Sequence, residues 1–471
     1  MKKLLNNIIN PFKSSKYFPI FIIFIFISFI YIIWENNPSG IQNESWHITI
    51  IFFATIILII TNILPLGVCA IFGITVATLT KSLTIHTALS GFSSTVTWLV
   101  ICAFFLSDGI IKTGLGKRLA YIMLCKFGKT ILGTSYSIIF TELLLAPLVP
   151  SASARSGGIM LPIIQNINEQ YQQNFGEDKK LNKFFMMLLY HTNIITSAMF
   201  LTAMAANPLA LSIAKNYGVN ITWFDWFYKF AIPGFISLII LPHILLFLIK
   251  PTINSKQDLR EITNKELKKL NLIGSSEIIM IILFICLIIS WMTEKFTGIN
   301  STLSAMVIIL IMLLLNIINW QDIIKNSSAW DCLFWYGILV MMADVVGKSG
   351  SFEFIASLLN NKIQHLDKLI GIIIIGIFYI YSHYFFASTT AHIMTLMGIS
   401  LNIAVNMNFN PTISTLVFSS LSVLSGGYTH YGLSSGPAIF AKQHLTVREW
   451  WKISLYVTNL NIFIWIIAIT I

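Results

Sequence analysis

The sequence predicts an all-α protein that crosses a membrane many times. Of its 471 residues, 56% are hydrophobic and only 10% are charged, whereas a soluble globular chain carries about 25% charged residues. Apolar stretches recur along the whole chain, and two distant parts of it share short motifs. This composition excludes a soluble enzyme, a disordered protein and a nucleic-acid binder. The net charge of +11 is therefore assigned to loops that stay in the cytoplasm.

Eleven apolar stretches approach the roughly 20 residues that a helix needs to span a bilayer. The predicted spans are residues 17–34, 46–63, 64–80, 95–111, 184–217, 223–249, 274–293, 302–319, 331–347, 411–441 and 451–471. The first is too long for the apolar core of a signal peptide and no small-residue cleavage site follows it. We therefore expect a membrane helix there.

Two shorter, interrupted pairs of apolar stretches are predicted to be re-entrant hairpins, over residues 131–168 and 368–406. The distribution of Lys and Arg supports this, because positively charged loops remain cytoplasmic. The long loop at 250–272 is basic, as is the N-terminus. Both are cytoplasmic only if the first hairpin enters and leaves on one side, and the same count has the second hairpin enter from the opposite side.

An internal repeat supports this topology. The run LSDGIIKTG (106–114) resembles MADVVGKSG (342–350), and SASAR (151–155) resembles STTAH (388–392) at nearly the same offset. Five spans per unit would invert the second unit, and inverted repeats with broken helices are typical of secondary transporters. The predicted divisions are an N-terminal segment with the first helix (1–45), a first repeat (46–250), a basic loop (251–273) and a second repeat (274–471).

Within the first repeated motif, Asp108 and its counterpart Asp344 precede basic loops. We expect each to have a structural role, paired with the lysine four residues later, Lys112 or Lys348.

The two hairpin tips, residues 150–155 and 388–392, are polar where hydrocarbon would be expected. Such backbone at membrane depth is tolerated only when it is buried in protein or lines a wet cavity. Ser and Thr can cap the returning helix, whose N-terminus attracts anions. Two such tips could each hold one carboxylate of a dianion. The alternative is that the hydroxyls bond only within their own helix.

Arg155 and its repeat counterpart His392 are the candidate counter-charges for such an anion. A charge inside a membrane protein is costly and usually functional, and guanidinium matches a carboxylate. The alternatives are that Arg155 pairs with Glu142 or Glu169, and that His392 is a buried histidine with its hydrogen bonds satisfied.

Two long spans contain helix-breaking residues, Asn207-Pro208 in the first repeat and Gly436-Pro437 in the second. Proline removes a backbone hydrogen bond and frees carbonyl groups, which would line the same cavity. A simple kink is the alternative in each case.

These motifs resemble those of the divalent anion/sodium symporter family. The resemblance lies in PSASARSGGIMLPII (150–164), TSAMFLTAMAANPLAL (196–211), FFASTTAH (385–392) and GGYTHYGLSSGPAIF (426–440). It is greatest to the branch of citrate/succinate antiporters and 2-oxoglutarate/malate translocators. The resemblance implies an elevator movement, a homodimer and a Ser-Asn-Thr-type signature at each tip. By residue, the signature falls on Ser151, Ala152 and Ser153, and on Ser388, Thr389 and Thr390.

Ala152 and Thr389 stand where that signature has Asn. Ala152 offers no side-chain oxygen to a cation, so our hypothesis is that Arg155 and His392 supply positive charge where symporters use sodium. The expected function is then antiport of di- or tricarboxylates such as malate, succinate, 2-oxoglutarate and citrate. We expect Arg155→Ala to abolish exchange and leave folding intact.

The alternatives are a sodium-coupled dicarboxylate symporter and, from a different class, an anion channel. No cofactor or metal site is predicted, with Na⁺ as the one candidate coupling ion, and no enzyme motif appears in the sequence. The expected location is a bacterial inner (plasma) membrane, with the N-terminus in the cytoplasm.

Overall fold

The computed structural model of the chain describes residues 34–35, 37–38, 41–61, 63–176, 178–251, 260–270, 272–363 and 367–470. Within these ranges, every regular element is helical, which confirms the predicted fold class. Nearly all of the first predicted span, 17–34, and most of the 1–45 segment lie outside the described residues.

The first half of the described chain forms ten α-helices. They are α1 (Asn43–Thr61), α2 (Leu66–Leu79), α3 (Ile85–Leu89), α4 (Thr95–Thr113), α5 (Leu115–Phe127), α6 (Ile131–Leu145), α7 (Leu161–Phe175), α8 (Lys179–Met199), α9 (Ala206–Ala214) and α10 (Trp223–Ile249). Helix α11 (Arg260–Lys269) lies in the basic loop.

The second half forms α12 (Ser275–Met292), α13 (Glu294–Thr297), α14 (Ser301–Leu314), α15 (Trp320–Lys325), α16 (Ser327–Lys348), α17 (Ser351–Ile363), α18 (Lys368–Ser382), α19 (Thr389–Asn406), α20 (Pro411–Ser425), α21 (Gly436–Phe440) and α22 (Val447–Thr470). Apart from the one-turn helix α13, the order follows that of the first half. For example, α2 and α14 both have 14 residues, and α5 and α17 both have 13. The inversion of the second unit stays a prediction.

Seven of the described helices are long and apolar enough to cross a membrane. They are Asn43–Thr61, Thr95–Thr113, Trp223–Ile249, Ser275–Met292, Ser327–Lys348, Lys368–Phe385 and Val447–Thr470. Helix α12 shows the expected lipid-facing surface, since Ile278, Ile282 and Ile289 are about half exposed. An exposed apolar stripe of this kind is stable only against lipid or protein. The number of eleven spans stays a prediction.

The predicted spans 184–217 and 411–441 are each interrupted by non-helical backbone. Helix α8 ends at Met199 and α9 begins at Ala206; between them Phe200 and Met204 are extended (φ −118° and −155°). We call residues 200–205 break one. Helix α20 ends at Ser425 and α21 begins at Gly436, and we call residues 426–435 break two. Both segments are true breaks, so the simple-kink alternative is wrong.

Each proline predicted to break a helix lies just after the break. Pro208 and Pro437 fall in the first turns of α9 and α21. Proline is well tolerated there because the first N–H groups of a helix have no intrahelical acceptor.

The helices pack in two groups. In one, which we call the hairpin group, α8 packs against α6, α10 and α20, and α22 packs against α10 and α20. Helix α8 is buried along its whole length from Phe184 to Met199. In the other, which we call the frame helices, α2 and α4 pack against α16, and α4 against α14. Helix α1 packs on α2, and α12 on α14. The boundary between the two groups positions the candidate site.

Candidate functional site

The tip of the first hairpin follows the end of α6 at Leu145. Ser151 Oγ accepts a hydrogen bond from the backbone N–H of Ala154 at 3.2 Å and lies 3.0 Å from Ser153 Oγ. The chain then returns through a π-helical stretch, Ser153–Met160, before α7 begins. Such π-turns are rare and often mark functional sites. The serine therefore caps the returning helix, as the sequence predicts.

The tip of the second hairpin is capped in the same way. Ser388 is the N-cap of α19, and its Oγ accepts from the backbone N–H of Ala391 at 3.4 Å. Thr389 Oγ1 donates to the carbonyl oxygen of Gly432 at 3.3 Å, which ties this tip to break two. The Thr390 hydroxyl has no hydrogen-bond partner among the described residues. It is therefore available to a ligand.

Both tips and both breaks meet at one cavity of about 200 Å³. Its polar side is lined by Ser151 of tip one, by Ser388 and Thr390 of tip two and by Ser434 of break two. The volume is below the roughly 300–1,000 Å³ of pockets for drug-sized ligands. The cavity therefore suits a small molecule with few atoms.

The frame helices supply the opposite side of the cavity, and that side is almost wholly apolar. It consists of Ile56, Ile59, Leu66, Phe104, Trp335 and Leu339. The remaining lining comes from the two hairpins and from break one, which adjoin the hairpin group through α6, α8 and α20. It consists of Pro150, Ala152, Met204, Ala205, Ala391 and Met394. The cavity therefore lies where the two groups of helices meet.

Of the predicted site residues, Ser151, Ala152, Ser388 and Thr390 line the cavity. Their neighbours Ser153 and Thr389 lie in the same two tips without lining it. Sequence reasoning missed Met204, Ala205 and Ser434, because the breaks fall before the prolines that signal them.

Break one is closed by Asn207. Its side-chain amide donates to the carbonyl oxygens of Ser197 at 2.7 Å and Phe200 at 2.9 Å. The freed carbonyls are thus satisfied within the protein, whereas the sequence predicts that they line the cavity. Asn207 is fully buried, and Pro208 lines a narrow apolar crevice beside the cavity.

Gly436 and Pro437 likewise have a structural place in break two. A side chain at Gly436 would bring its Cβ within 2.4 Å of the carbonyl oxygen of His430. Glycine is therefore required by the close approach of two backbone segments. Neither residue lines the cavity.

Arg155 is fully buried and points away from the cavity. Its Nε donates to Glu142 Oε1 at 2.9 Å, and its Nη2 donates to Ser197 Oγ at 2.7 Å. Its Nη1 donates to the carbonyl oxygens of Val149 and Ala203. The guanidinium thus fastens tip one to break one, and the alternative of a pair with Glu142 is what the structure shows.

The pair continues as a network into break two. Asn193 Nδ2 donates to Glu142 Oε1 at 2.5 Å, and Ser435 Oγ donates to Asn193 Oδ1 at 2.8 Å. Since Glu142 neutralises Arg155 and both are fully buried, the hypothesis of Arg155 as a free counter-charge has no support in this geometry. Glu142, a carboxylate within an apolar helix, is itself visible in the sequence as an unusual charge. From the sequence alone, it is considered only as an alternative partner for Arg155.

His392 is also fully buried, with both ring nitrogens engaged. Its Nδ1 lies 2.8 Å from Ser422 Oγ, and its Nε2 lies 2.9 Å from Ser382 Oγ and 3.0 Å from the carbonyl oxygen of Tyr379. It does not line the cavity. The alternative of a satisfied buried histidine is therefore what the structure shows.

The two repeated acidic residues differ in their partners. Asp344 pairs with Lys348 at 2.7 Å, as predicted. The predicted Asp108–Lys112 pair is wrong, because Lys112 pairs with Asp322 and Asp108 accepts from Asn326 Nδ2 at 2.7 Å. Lys112 reaches a residue 210 positions away, which spacing along one helix could not reveal.

A multi-spanning helical protein with two hairpin tips and two broken helices around one small cavity has the architecture of a secondary transporter. The chain belongs to the divalent anion/sodium symporter family, since the family described as "Sodium:sulfate symporter transmembrane region" matches residues 14–471. This confirms the family that the motifs indicate.

Relatives from bacteria and plants match over most of the chain. YflS of Bacillus subtilis, provisionally designated a malate transporter, is 37% identical over 91% of this chain and 91% of its own. "Dicarboxylate transporter 1, chloroplastic" of Arabidopsis thaliana is 35% identical over 91% of this chain and 78% of its own. "Inner membrane protein YbhI" of Escherichia coli is 32% identical over 91% of both. The names agree with the prediction of a membrane transporter and not an enzyme.

Solved structures share the fold at low sequence identity. The YdaH transporter of Alcanivorax borkumensis aligns with a TM-score of 0.56 at 9% identity, covering 81% of this chain and 86% of its own. MtrF of Neisseria gonorrhoeae aligns with a TM-score of 0.52 at 10% identity, covering 82% and 83%. These similarities concern the helical architecture alone.

Proposed function

We propose that the chain is a secondary active transporter of small di- or tricarboxylates, of the malate, succinate, 2-oxoglutarate and citrate class, and that it works as an anion antiporter. The observation that carries the proposal is the single cavity shared by both hairpin tips. The names of the bacterial and plastid relatives support the substrate class.

The chemistry of the tips suits a carboxylate at each end of a short substrate. Ser151 and Ser388 cap the returning segments, and the N-terminus of a helix favours negative charge. The hydroxyl of Thr390 adds a donor in the first turn of α19. Because no Lys or Arg of the described residues lines the cavity, we propose that neutral donors and helix N-termini bind the anion. Neutral donors also release it more readily than a buried cation would.

The antiport mechanism rests on Ala152, which lies at tip one where the family signature has Asn. An alanine methyl group cannot coordinate sodium, so a cation site at tip one would have one side-chain ligand fewer than the signature provides. We propose that transport is driven instead by the exchange of one anion for another across the membrane. Because Glu142 neutralises Arg155, the proposed antiport involves no fixed positive charge from that residue.

A sodium-coupled symporter is the second candidate. The hydroxyls of Ser425 and Thr429, beside and within break two, are buried without a hydrogen-bond partner among the described residues. Hydroxyl oxygens are ligands for hard cations such as Na⁺. A cation near tip two would therefore favour symport.

The proposed movement is that of an elevator, in which the hairpin group carries the cavity past the frame helices. The position of the cavity at the boundary of the two groups supports it. We further propose a homodimer in a bacterial inner membrane with a cytoplasmic N-terminus. The name of YbhI supports the location.

Counterflow in proteoliposomes tests the proposal. Vesicles that contain the purified protein are loaded with unlabelled malate, and uptake of labelled malate is followed with Na⁺ or with K⁺ outside. We expect saturable uptake that requires internal dicarboxylate and is the same in both salts. Uptake into empty vesicles that Na⁺ drives would establish the symporter, and flux that does not saturate would indicate a channel.

A further inference from the structure

One hydrogen-bond donor lies on the otherwise apolar side of the cavity. Among the cavity-lining residues from the frame helices, Trp335 alone has a polar atom in its side chain. Its neighbours Ile59, Phe104 and Leu339 present only hydrocarbon. Trp335 is half-buried in α16 and packs edge-on against Tyr336.

The indole N–H of Trp335 has no acceptor among the described residues. Two other tryptophans of the frame helices differ in this respect: Trp98 donates to the carbonyl oxygen of Phe92 at 2.8 Å, and Trp330 donates to that of Ile323 at 2.9 Å. Indole N–H groups in a protein interior usually find a partner. A donor without one, in a side chain that lines a ligand cavity, is available to the ligand.

We propose that Trp335 is a specificity-determining residue, which donates a hydrogen bond to an oxygen on the carbon chain of the bound dicarboxylate. The protein would thereby favour 2-hydroxy- and 2-oxo-dicarboxylates over those with an unsubstituted chain. This inference rests on the proposed function and names the substrates within that class.

The two sides of the cavity set the orientation of the substrate. Ser151 and Ser388 lie on the side that holds the carboxylates, so the carbon chain between them faces the frame helices. A methylene group of the substrate packs favourably against the apolar side chains of Leu339 and Phe104. A hydroxyl or oxo group against hydrocarbon would lose its hydrogen bonds to water without replacement, but opposite Trp335 it regains one.

Two pairs of substrates that differ only in that oxygen provide the test: malate with succinate, and 2-oxoglutarate with glutarate. Inhibition constants for each are measured against malate counterflow in proteoliposomes. The wild-type protein should bind the oxygenated member of each pair more tightly. Trp335→Phe keeps an aromatic ring and removes the N–H, and it should reduce both preferences by roughly 3- to 10-fold, the value of one neutral hydrogen bond. The constants for succinate and glutarate should change by less than about twofold, since their chains have no oxygen to lose.

Two control variants separate the donor from the shape of the cavity. Leu339→Val alters the same side without touching a donor, and should shift malate and succinate by the same factor. Trp98→Phe removes an indole N–H that does not line the cavity, and should leave the preference unchanged.

Three results would overturn the inference: equal binding of malate and succinate by the wild-type protein, an unchanged preference in Trp335→Phe, or the same loss in Leu339→Val. The first result is measured on the wild-type protein, so the inference can be tested even if the Trp335→Phe variant does not fold. If the wild-type protein exchanges no dicarboxylate, the proposed function itself fails.

Discussion

The two hairpin tips reach the same cavity but are fastened to the protein by different chemistry. Behind tip one, Arg155 and Glu142 form a fully buried ion pair that also binds backbone carbonyls. Behind tip two, His392 occupies the corresponding position of the repeated motif. It bonds only to hydroxyls and a carbonyl oxygen, and packs against the ring of Tyr379 at 4.5 Å.

The difference shows what a repeated motif preserves. In both tips, the basic residue lies four positions beyond the capping serine, and in both it turns away from the cavity into the protein. The capping hydroxyls, Ser151 and Ser388, face the cavity in both. The repeat therefore keeps the serine of each tip that faces the cavity. The buried residue behind each tip differs, and its partners differ with the segments packed around it.

The largest expected effect comes from breaking the ion pair behind tip one. Arg155→Ala leaves the Glu142 carboxylate buried without its charge partner, which should destabilise the protein by about 3–5 kcal/mol. A large drop in melting temperature in detergent should accompany the loss of transport. This differs from the sequence-based expectation that folding stays intact.

A double variant sharpens this prediction. Arg155→Met with Glu142→Leu removes both charges and fills the space with apolar side chains, which often restores stability. We expect both the melting temperature and part of the exchange activity to return. A stable double variant without any exchange would show that the ion pair is not the whole role of Arg155, since its bonds to the Val149 and Ala203 carbonyls at tip one are lost as well.

A smaller effect is expected behind tip two. His392→Leu removes neutral hydrogen bonds and leaves the Ser422 hydroxyl unsatisfied, at a cost of about 1–3 kcal/mol. The Ser382 hydroxyl keeps its bond to the carbonyl oxygen of Tyr379. His392→Gln, which keeps a donor and an acceptor, should lose less. If His392→Leu lowers the melting temperature as much as Arg155→Ala, the contrast between the two tips is wrong.

The smallest effect on stability is expected on the cavity side. Thr390→Val removes a hydroxyl with no protein partner, so the melting temperature should not fall. The KM for malate exchange should rise by roughly tenfold, the value of a hydrogen bond to a charged group. Thr389→Val serves as the matched control, because its hydroxyl bonds to the carbonyl oxygen of Gly432. Its loss should lower the melting temperature and leave KM nearly unchanged. The opposite pattern would exchange the roles of the two threonines.

Much of the site could be predicted from local signals. Short stretches of sequence suffice to recognise the capping serines, the helix breaks and the repeat. The reason is that capping and helix-breaking depend on neighbours within a few residues. The cavity-lining positions Ser434 and Trp335 could not be predicted. Neither belongs to a recognisable local motif, and each lines the cavity only because of the segments that pack opposite it.

By itself, the sequence determined the helical membrane fold and the two polar tips, since apolar length and local capping suffice for both. Only the tertiary structure decided that Arg155 pairs with Glu142 and not with a substrate, and that Lys112 pairs with Asp322 and not with Asp108. The reason is that a buried charge takes the partner that packing brings within hydrogen-bond distance. Helical spacing gives the candidates, and packing between distant segments chooses among them.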